Sequence, residues 1–498
     1  MPTLDWIGKD KVINHHNDVP YKVLERKYSF DESGMHKEDI HSNNMIIHGD
    51  NLEALKSLLP QYEGKIKCIY IDPPYNTGNE GWIYNDNVND PKIKKWLGEV
   101  VGKEGEDLSR HDKWLCMMYP RLVLLQKLLA DDGAIFISID DNEHANLLLV
   151  CNEVFGSNNF IQDIIWNKRV SPARDAKFFS TDHEYILVYS KNKESLTTHF
   201  LPRTEKNNSY YKNPDNDPRG PWNSAAYTCN KSRDERPNLY YPITNPYTGE
   251  KIFPKESAVW AYSEETYQQH VRDNLLYWGV NGEAKQPRKK AFLSEVGDVV
   301  PRSVWSHSDV GSTQKATMEN NTIFNMRAFS YPKVSTLVER IIQIASDKDS
   351  IVLDSFAGSG TTAHAVLNMN KSDGGNRKFI LVEMGDYADT ITAERVKRVI
   401  NGYGEGKNAV EGTGGNFSYY ELGNPLFMQD GTINDEVDIT EVRKYVWYTE
   451  TNGIEYKEDI QEKYFLGSYN DTAYYFYYEK DRVTILDYEF LTSVHKKE

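Results

Sequence analysis

The chain has 498 residues, of which 39% are hydrophobic and 27% charged, and its formal net charge at pH 7 is −16. This length predicts more than one domain, and the acidic balance argues against a surface that is basic throughout. No run approaches the roughly 18 apolar residues of a membrane-spanning helix, and the N-terminus lacks the apolar core of a signal peptide. We therefore expect a cytoplasmic globular protein that does not contact membranes.

Short apolar runs alternate with helical patterns along most of the chain. Leucines at helical spacing follow the first run, in LEALKSLLPQY, and precede the third, in PRLVLLQKLLADDG. This alternation predicts an α/β fold with a doubly wound, Rossmann-like parallel sheet, which binds ligands beyond the carboxyl ends of its strands. A further strand, HEYILVYSKN at residues 183–192, is predicted at a sheet edge. The runs predicted as parallel strands are NMIIHGD, IKCIYID, GAIFISID, SIVLDSF and KFILVEM.

The periodic pattern fades in the middle of the chain. Between residues 196 and 310, turn-forming Asn and Pro accompany many Tyr and Trp, which predicts an inserted domain of turns and short strands. This segment holds 15 Lys and Arg against 14 Asp and Glu, whereas residues 421–498 hold 8 against 17. The predicted divisions are an N-terminal extension at 1–40, the first half of the α/β domain at 41–195, the inserted domain at 196–300, the second half at 301–420 and a small C-terminal domain at 421–498.

The second predicted strand ends in DPPY, from Asp72 to Tyr75. Proline has no N–H for a strand ladder and restricts the residue before it, so Pro73 and Pro74 predict a stiff, extended corner. The carboxylate of Asp72 and the backbone carbonyl of Pro73 can then face one point, where two acceptors suit the amino group of a nucleobase. Tyr75 can stack on a base that has left its helix. For this motif alone, a stiff loop with a packed tyrosine remains an open alternative.

A second motif follows the fourth predicted strand, in IVLDSFAGSGTTAHAVL. Asp354 ends the strand, and Gly358 and Gly360 predict a tight turn into a helix whose N-terminus a ligand can approach. The Gly-Lys-Ser/Thr ending of a P-loop is absent from this turn. The next strand ends at Glu383, whose carboxylate can accept hydrogen bonds from both ribose hydroxyls of an adenosine-containing ligand. The alternative role for Glu383 is to cap the following helix.

The sequence predicts no metal site. The cysteines are far apart with no Cys-x-x-Cys pair, and no histidine occurs in an HExxH pattern. We expect buried, reduced thiols at Cys68, Cys116, Cys151 and Cys229.

Taken together, the motifs resemble those of amino-methyltransferases that use S-adenosylmethionine, and especially of DNA adenine-N6 methyltransferases. DPPY precedes the glycine loop DSFAGSG, which is the order of the β group, whose recognition region lies between the two motifs. The stretches YNTGNEGWIYNDN and HDKWLCMMYPRL resemble the modification (Mod) subunits of Type III restriction systems, which are usually longer. Ser355 stands where the family usually has a proline.

The resemblance implies a site-specific DNA methyltransferase that acts on N6 of an adenine flipped out of duplex DNA. Residues 41–195 would then be the catalytic half, 196–300 the target-recognition domain and 301–420 the cofactor half. Double-stranded DNA and a second copy of the chain are the expected partners, and a restriction (helicase–nuclease) subunit is left open. The predicted catalytic residues are Asp72, Pro73, Pro74 and Tyr75. The predicted cofactor-binding residues are Asp50 (at the cofactor's adenine), Asn51, Lys333 (near its carboxylate), Asp354, Phe356, Ala357, Gly358, Ser359, Gly360, Thr361 and Glu383.

Other functions stay open at this point. The aspartate of DPPY favours adenine, because N4-cytosine methyltransferases more often resemble Ser-Pro-Pro-Tyr. Another alternative is a DNA-recognition subunit that mainly serves a partner nuclease. Methyl transfer to RNA or to a protein glutamine is a third, although related motifs for these substrates start with Asn.

The expected DNA contacts lie in two regions. The better candidate is NKRVSPARDAKFF at residues 167–179, which follows the catalytic half and can flank DNA as the target base flips. In the inserted domain, aromatic and basic side chains can stack on bases or hold phosphates, with a domain core or a solvated surface as the alternative. These candidates are Tyr210, Tyr211, Trp222, Tyr240, Tyr241, Arg219, Arg233, Arg236 and the stretch KQPRKK.

Overall fold

The computed structural model describes residues 3–77, 95, 98–100, 110–428, 430–451, 456 and 463–494. It separates into two compact units. Unit 1 consists of Met1–His199 and Arg302–Glu498, and unit 2 of Phe200–Pro301. Most of the stretch YNTGNEGWIYNDN, one of the two that resemble Mod subunits, lies outside the described residues.

The described strands and helices are numbered separately in chain order. The strands are β1 (Lys22–Asp31), β2 (Gly34–His36), β3 (Met45–His48), β4 (Ile66–Ile71), β5 (Leu129–Ile139), β6 (Phe160–Asn167), β7 (His183–Ser190), β8 (Trp222–Ala226), β9 (Thr228–Cys229), β10 (Ile243–Thr244), β11 (Lys251–Ile252), β12 (Val259–Trp260), β13 (Leu276–Tyr277), β14 (Arg288–Phe292), β15 (Val304–Trp305), β16 (Ile351–Asp354), β17 (Lys378–Glu383), β18 (Gly402–Tyr403), β19 (Val410–Glu411), β20 (Asn416–Pro425), β21 (Phe465–Tyr469) and β22 (Thr472–Tyr475). The helices are α1 (Lys9–Val12), α2 (His15–Asp18), α3 (Asn51–Tyr62), α4 (Arg110–Leu128), α5 (His144–Cys151), α6 (Glu205–Asn208), α7 (Glu264–Arg272), α8 (His307–Val310), α9 (Thr313–Phe324), α10 (Ser335–Ala345), α11 (Thr361–Asp373), α12 (Glu394–Asn401), α13 (Ile439–Thr451) and α14 (Tyr488–Ser493).

Eleven of the described strands form one sheet in unit 1, in the order β15-β6-β7-β5-β4-β16-β17-β3-β20-β1-β2. The five predicted parallel runs are β5, β4, β16, β17 and β3, and they lie side by side and parallel. Every residue of β4 is buried, as expected for a central parallel strand that helices cover. The α/β fold class predicted from the sequence is therefore confirmed.

The prediction that HEYILVYSKN lies at a sheet edge is wrong. This strand is β7, and it pairs antiparallel with β5 on one side and with β6 on the other. The sequence reading did not identify β6 as a strand, and β6 occupies the outer side of β7. At the other end of the sheet, β1 pairs antiparallel with β20, so residues of the predicted N-terminal extension form part of the main sheet.

The pairing of β4 with β16 determines where the two motifs lie. In this parallel register Cys68 is opposite Val352, and Ile69 is opposite Leu353. The corner after β4 and the glycine loop after β16 therefore leave the same edge of the sheet as neighbours. Ligands of doubly wound sheets bind at such a crevice beyond the strand ends.

Helix α10 links the two halves of the site. Its leucine, valine and isoleucines recur at helical spacing and are buried, so this face packs into the core. The helix begins two residues after Lys333, and its C-terminus leads into β16. Among the described helices, none is long and apolar enough to cross a lipid bilayer.

Unit 2 is built from short antiparallel pairs around a small aromatic core. Strands β13, β14 and β8 form a three-stranded sheet, and two further pairs are β10 with β11 and β12 with β9. The turn-rich, aromatic composition of this segment explains both the short strands and the core. Its buried core residues are Tyr227, Tyr241, Ile243, Trp260, Tyr267 and Trp278.

Candidate functional site

The corner after β4 is held in place by packing from α4. The indole N–H of Trp114 donates a hydrogen bond to the backbone carbonyl of Pro74 at 2.6 Å, and Trp114 is fully buried. Tyr75 is 8% exposed, and Asn76 after it adopts a left-handed conformation with φ of 59°. The predicted stiff corner is therefore fixed by the two prolines together with one buried tryptophan.

Lys333 lies at the catalytic corner. Its ammonium Nζ donates to both carboxylate oxygens of Asp72 at 2.8 Å and to the hydroxyl of Tyr75 at 2.9 Å. Burial alone would lower the pKa of Lys333, but the carboxylates of Asp72 and Glu184 raise it above its ordinary value. Burial raises the pKa of Asp72, and the nearby ammonium opposes that rise. The role expected for Lys333 at the cofactor's carboxylate stays a prediction.

Two further charged side chains, Glu184 and Lys168, complete this cluster. The sequence analysis did not single out Glu184, and it included Lys168 only in the candidate DNA-contacting stretch at residues 167–179. Glu184, near the start of β7, accepts a hydrogen bond from the Tyr75 hydroxyl at 3.1 Å and another from Lys168 at 2.9 Å. Burial would raise the pKa of Glu184, but Lys333 and Lys168 lower it below its ordinary value. The signal that could have revealed Glu184 is a carboxylate in an otherwise apolar, buried strand.

A cavity of about 230 Å³ opens beside this cluster, within unit 1. Its walls combine the corner after β4, the ends of β6 and β7, and the segment that precedes α10. The lining residues are Asp72, Pro73, Tyr75, Thr77, Asp140, Lys168, Glu184, Thr313, Thr317, Ser330, Tyr331, Pro332 and Lys333.

The glycine loop after β16 forms a closed turn. Gly358 and Gly360 have φ of 52° and 80°, and a Cβ added to Gly360 would lie 2.8 Å from the backbone oxygen of Thr392. Asp354 accepts hydrogen bonds from the N–H of Phe356 at 3.0 Å and from the hydroxyl of Thr362 at 2.5 Å. Burial raises the pKa of Asp354 to about 7. Only glycine combines this conformation with so close a backbone approach.

Glu383 joins the glycine loop to the end of β17. Its two carboxylate oxygens accept hydrogen bonds from the N–H of Gly358 at 2.7 Å and of Gly385 at 2.8 Å. Burial raises the pKa of Glu383, which is 3% exposed. The Tyr387 side chain and the Met384 backbone also hydrogen-bond to this carboxylate, so Glu383 is held firmly against the loop.

The segment after β3 reaches the same loop. Asp50 caps α3 by accepting from the N–H groups of Leu52 and Glu53. The side-chain amide of Asn51 donates to the backbone carbonyl of Ser355 at 3.1 Å. Arg121 from α4, which is buried, donates to Asn51 at 2.5 Å and lies 3.5 Å from Asp50. Asn51 therefore contacts the glycine loop, and Asp50 is linked to it through Arg121.

Arg395 is a buried support of the loop that the sequence analysis did not identify. Its guanidinium donates to the hydroxyls of Ser359 and Thr361 at 2.9 Å each and to Glu319 of α9 at 2.9 Å. Burial lowers the pKa of Arg395, and Glu319 opposes that change. The hydroxyl of Thr361 in turn donates to the backbone carbonyl of Lys333 at 3.2 Å. Hydrogen bonds therefore connect the start of α11 with the segment that carries Lys333.

The candidate DNA-contacting residues of unit 2 fall into two groups. Trp222 and Tyr241 are buried, and Arg219 donates to the buried carboxylate of Asp217, so these residues stabilise the unit itself. Tyr210 is 68% exposed, and Arg236 is exposed. Within the stretch KQPRKK, Lys290 is buried and pairs with Asp215 and Asp217.

The chain matches the family model N6_N4_Mtase, described as DNA methylase, over residues 66–394. That span includes both motifs and every residue of the charged cluster. The chain belongs to this family of DNA methylases. The sequence-based resemblance to amino-methyltransferases is thereby confirmed.

Three relatives place the chain within the family. The Type III restriction-modification enzyme StyLTI Mod subunit of Salmonella typhimurium (strain LT2) is 34% identical over 424 residues, which are 80% of this chain and 62% of that protein. The EcoPI Mod subunit of Escherichia phage P1 is 32% identical over 76% of this chain and 63% of that protein. The Type II methyltransferase M.KpnI of Klebsiella pneumoniae is 33% identical over 69% of this chain and 81% of that protein. The matched part of the chain corresponds to less than two thirds of the length of each of the two Mod subunits. The identities confirm the predicted resemblance to Mod subunits.

Proposed function

We propose that the protein transfers a methyl group from S-adenosylmethionine to N6 of an adenine flipped out of duplex DNA. The observation that carries this proposal is the position of the Asp72 carboxylate in the wall of a cavity beside Tyr75, next to the glycine loop. Membership of the DNA methylase family supports the reaction class. The similarity to Mod subunits supports a role as the modification component of a restriction–modification system.

The residues around the glycine loop fit the proposed cofactor. The carboxylate of Glu383 and the side chain of Asn51 both contact the loop, and Asp50 precedes Asn51 at the start of α3. The hydroxyl of Ser355 is 1% exposed and has no hydrogen-bond partner among the described residues, so a polar ligand group would satisfy it. S-adenosylmethionine would supply an electrophilic methyl group on a sulfonium sulfur. The chain's part is to hold that ligand by hydrogen bonds around the turn of Gly358.

The catalytic corner would act by positioning and by hydrogen-bond acceptance. The exocyclic amine of adenine is a weak nucleophile, because its lone pair is delocalised into the ring. Hydrogen bonds from its two N–H groups to Asp72 and to the Pro73 carbonyl would direct that lone pair outward, and Tyr75 would stack on the base. Proximity and fixed acceptors are then the main contributions, without a covalent intermediate.

Lys333 would have to share Asp72 with the arriving amine. Its Nζ lies 3.6 Å from a carboxylate oxygen of Glu184, so it keeps a second anionic partner when a bond to Asp72 is given up. We infer that Lys333 holds Asp72 ionised until the base binds, because an ionised carboxylate is the stronger acceptor.

The test is methyl transfer by the purified chain. Duplex DNA is incubated with methyl-labelled S-adenosylmethionine and digested to nucleosides, and N6-methyladenine is the expected product. Recovery of N4-methylcytosine alone would contradict the choice of base and favour the cytosine alternative. Specific DNA binding with no labelled nucleoside would favour a recognition subunit that serves a nuclease.

Two partner predictions belong to the same proposal. The names of the relatives support association with a restriction subunit. A homodimer stays a prediction from the sequence resemblance, and sedimentation velocity with and without DNA measures it.

A further inference from the structure

We propose that the loop between β6 and β7, residues 168–182, inserts Phe178 and Phe179 into the space that the flipped base leaves in the duplex. This inference rests on the proposed function, because it assigns the part of the chain that opens the DNA at the cavity of Asp72. The loop is called the β6–β7 loop below.

The first observation is the exposure of two adjacent aromatic side chains. Phe178 is 82% exposed and Phe179 is 92% exposed, and both lie in a segment whose neighbours are also exposed. Burying an aromatic side chain is strongly favourable, so two exposed ones side by side indicate a surface that another molecule covers.

The second observation is where the loop is anchored. Asn167 pairs with His183 across the antiparallel strands, and the N–H of Lys168 donates to the carbonyl of Asp182 at 2.9 Å. Lys168, at one end of the loop, lines the cavity, and so does Glu184, just past the other end. The aromatic pair is therefore carried by a hairpin whose base forms the wall of the catalytic cavity.

The sheet register places the loop on the correct edge. Tyr185 at the start of β7 pairs with Ile139 at the carboxyl end of β5, and Ile137 of β5 pairs with Ile71 at the end of β4. The β6–β7 loop therefore leaves the sheet at the same edge as Asp72.

The third observation is charge. Arg169, Arg174 and Lys177 are exposed in the loop, with Asp175 as the exposed acid between them, in a chain whose net charge is −16. The Lys177 ammonium lies 5.3 Å from the centre of the Phe178 ring. Cations beside exposed aromatic rings suit phosphates that flank stacked bases. The position of the loop favours DNA over a second copy of the chain as the occupant, because Lys168 and Glu184 at its base line the same cavity as Asp72.

The physical role follows from the cost of base flipping. Extruding a base breaks its pair and its stacking, and apolar side chains inserted between base steps replace part of the lost stacking. Phe178 and Phe179 would replace part of the lost stacking from the side of the duplex that faces the cavity. Their removal should therefore slow methyl transfer to a paired adenine. The rate should change little when the target adenine is unpaired.

The test compares the wild-type chain with the double variant Phe178→Ala/Phe179→Ala on two duplexes. In one duplex the target adenine is paired with thymine, and in the other it lies opposite an abasic site. We expect kcat/KM on paired DNA to fall at least about tenfold, and the defect to shrink to about threefold or less on the abasic duplex. With 2-aminopurine at the target position, the fluorescence rise on binding should be correspondingly smaller for the variant on paired DNA.

Two controls separate this role from a folding defect. Tyr488, which is 83% exposed in α14, is the matched site, and Tyr488→Ala should leave both duplexes unaffected. The double alanine variant and Tyr488→Ala should both bind S-adenosylmethionine with wild-type affinity. The variant Phe178→Trp/Phe179→Trp, which keeps two aromatic rings, should methylate paired DNA at close to the wild-type rate.

Some outcomes would overturn the inference. Unchanged kinetics on paired DNA, or an equal loss on both duplexes, would exclude a role in filling the vacated space. A change in oligomeric state with unchanged kinetics would instead assign the pair to a contact between copies. A wild-type chain that opens DNA in the fluorescence assay without methylating it would contradict the proposed function, while the fluorescence comparison would still decide the role of the two phenylalanines.

Discussion

The ammonium of Lys333 lies 2.8 Å from each carboxylate oxygen of Asp72, although the two residues belong to opposite halves of the sequence. Both side chains are close to 90% buried, so this ion pair experiences little solvent screening. The pair joins the catalytic corner directly to the segment that leads into α10 and the glycine loop. Substitution of either residue should therefore change both the rate of methyl transfer and the stability of unit 1.

Asp72→Asn should nearly abolish methyl transfer while retaining cofactor binding. The amide keeps the shape of the carboxylate but removes its charge and replaces one oxygen by an NH₂ donor, so the adenine amine meets a weaker, neutral acceptor. We expect a loss of about 10²–10³ in kcat, the size seen when one preorganised hydrogen-bonding group is removed. Single-turnover methylation and calorimetric binding of S-adenosylmethionine measure the two effects. Turnover within a few-fold of wild type would contradict the assignment of Asp72.

Lys333→Met should make methyl transfer dependent on pH. Without the ammonium, burial raises the pKa of Asp72 unopposed, and a protonated Asp72 is a weaker acceptor for the amine hydrogen that it should bind. We expect kcat of the variant to rise with increasing pH where the wild type is flat. Lys315→Met, at a cation that contacts Thr336 rather than a carboxylate, is the control. Parallel pH profiles for all three proteins would argue against this role of Lys333.

The same variant should be less stable. Removing one partner of a buried ion pair leaves the other charge uncompensated, which typically costs about 3–5 kcal/mol in the free energy of unfolding. Urea denaturation followed by tryptophan fluorescence measures this loss. The double variant Lys333→Met/Asp72→Asn should recover part of it, because the unpaired charge is then removed as well.

Gly358→Val should prevent cofactor binding. Gly358 has φ of 52°, a conformation that is strongly unfavourable for a β-branched residue, and its N–H donates to Glu383. Gly374→Val is the matched control, because Gly374 has φ of 67° at the far end of α11 and a Cβ there meets no atom within 4 Å. Calorimetry should show loss of binding only for Gly358→Val. Equal losses in both variants would indicate general backbone strain instead of a local role.

His364 should make unit 1 sensitive to acid. Burial lowers the pKa of His364 to about 3, with Arg395 adding to the effect, whereas an unfolded histidine titrates near 6.5. As the pH falls below about 6.5, this histidine is protonated in the unfolded chain but stays neutral in the native state. It therefore lowers the free energy of unfolding by up to about 1.4 kcal/mol per pH unit. His364→Gln should therefore show a shallower loss of stability between pH 6.5 and 4.5 in urea denaturation.

Asp354 provides a control, because its contribution to the free energy of unfolding should change with pH in the opposite direction. Burial raises its pKa to about 7 in the folded chain, so between about pH 7 and 4 the native state takes up the proton first, and stability rises as the pH falls. Asp354→Asn should remove this contribution and make the acid-induced loss steeper. The same direction of change in both variants would contradict the assignment of these two groups.

The sequence predicted the central sheet because each central strand is a continuous apolar run. Parallel strands covered by helices are buried on both faces, so runs such as IKCIYI need no partner information to be identified. The strand at residues 160–167 was missed because Gln162 and Asp163 interrupt its apolar residues and most of its positions are not fully buried. Its omission placed HEYILVYSKN at an edge that β6 in fact covers.

The sequence by itself determined the two motifs, their order and the family, because each motif is local: prolines set the corner at Asp72, and glycines set the turn at Gly358. Only the tertiary structure decided which charges meet there. Lys333, Glu184 and Lys168 come from distant segments, and their convergence on Asp72 and Tyr75 depends on the register of β4, β7 and β16. Arg395 beneath the glycine loop is set in the same way by the packing of α12. The pairing register and the helix packing depend on contacts between segments that are far apart in the sequence. They therefore cannot be identified from any single stretch of the chain.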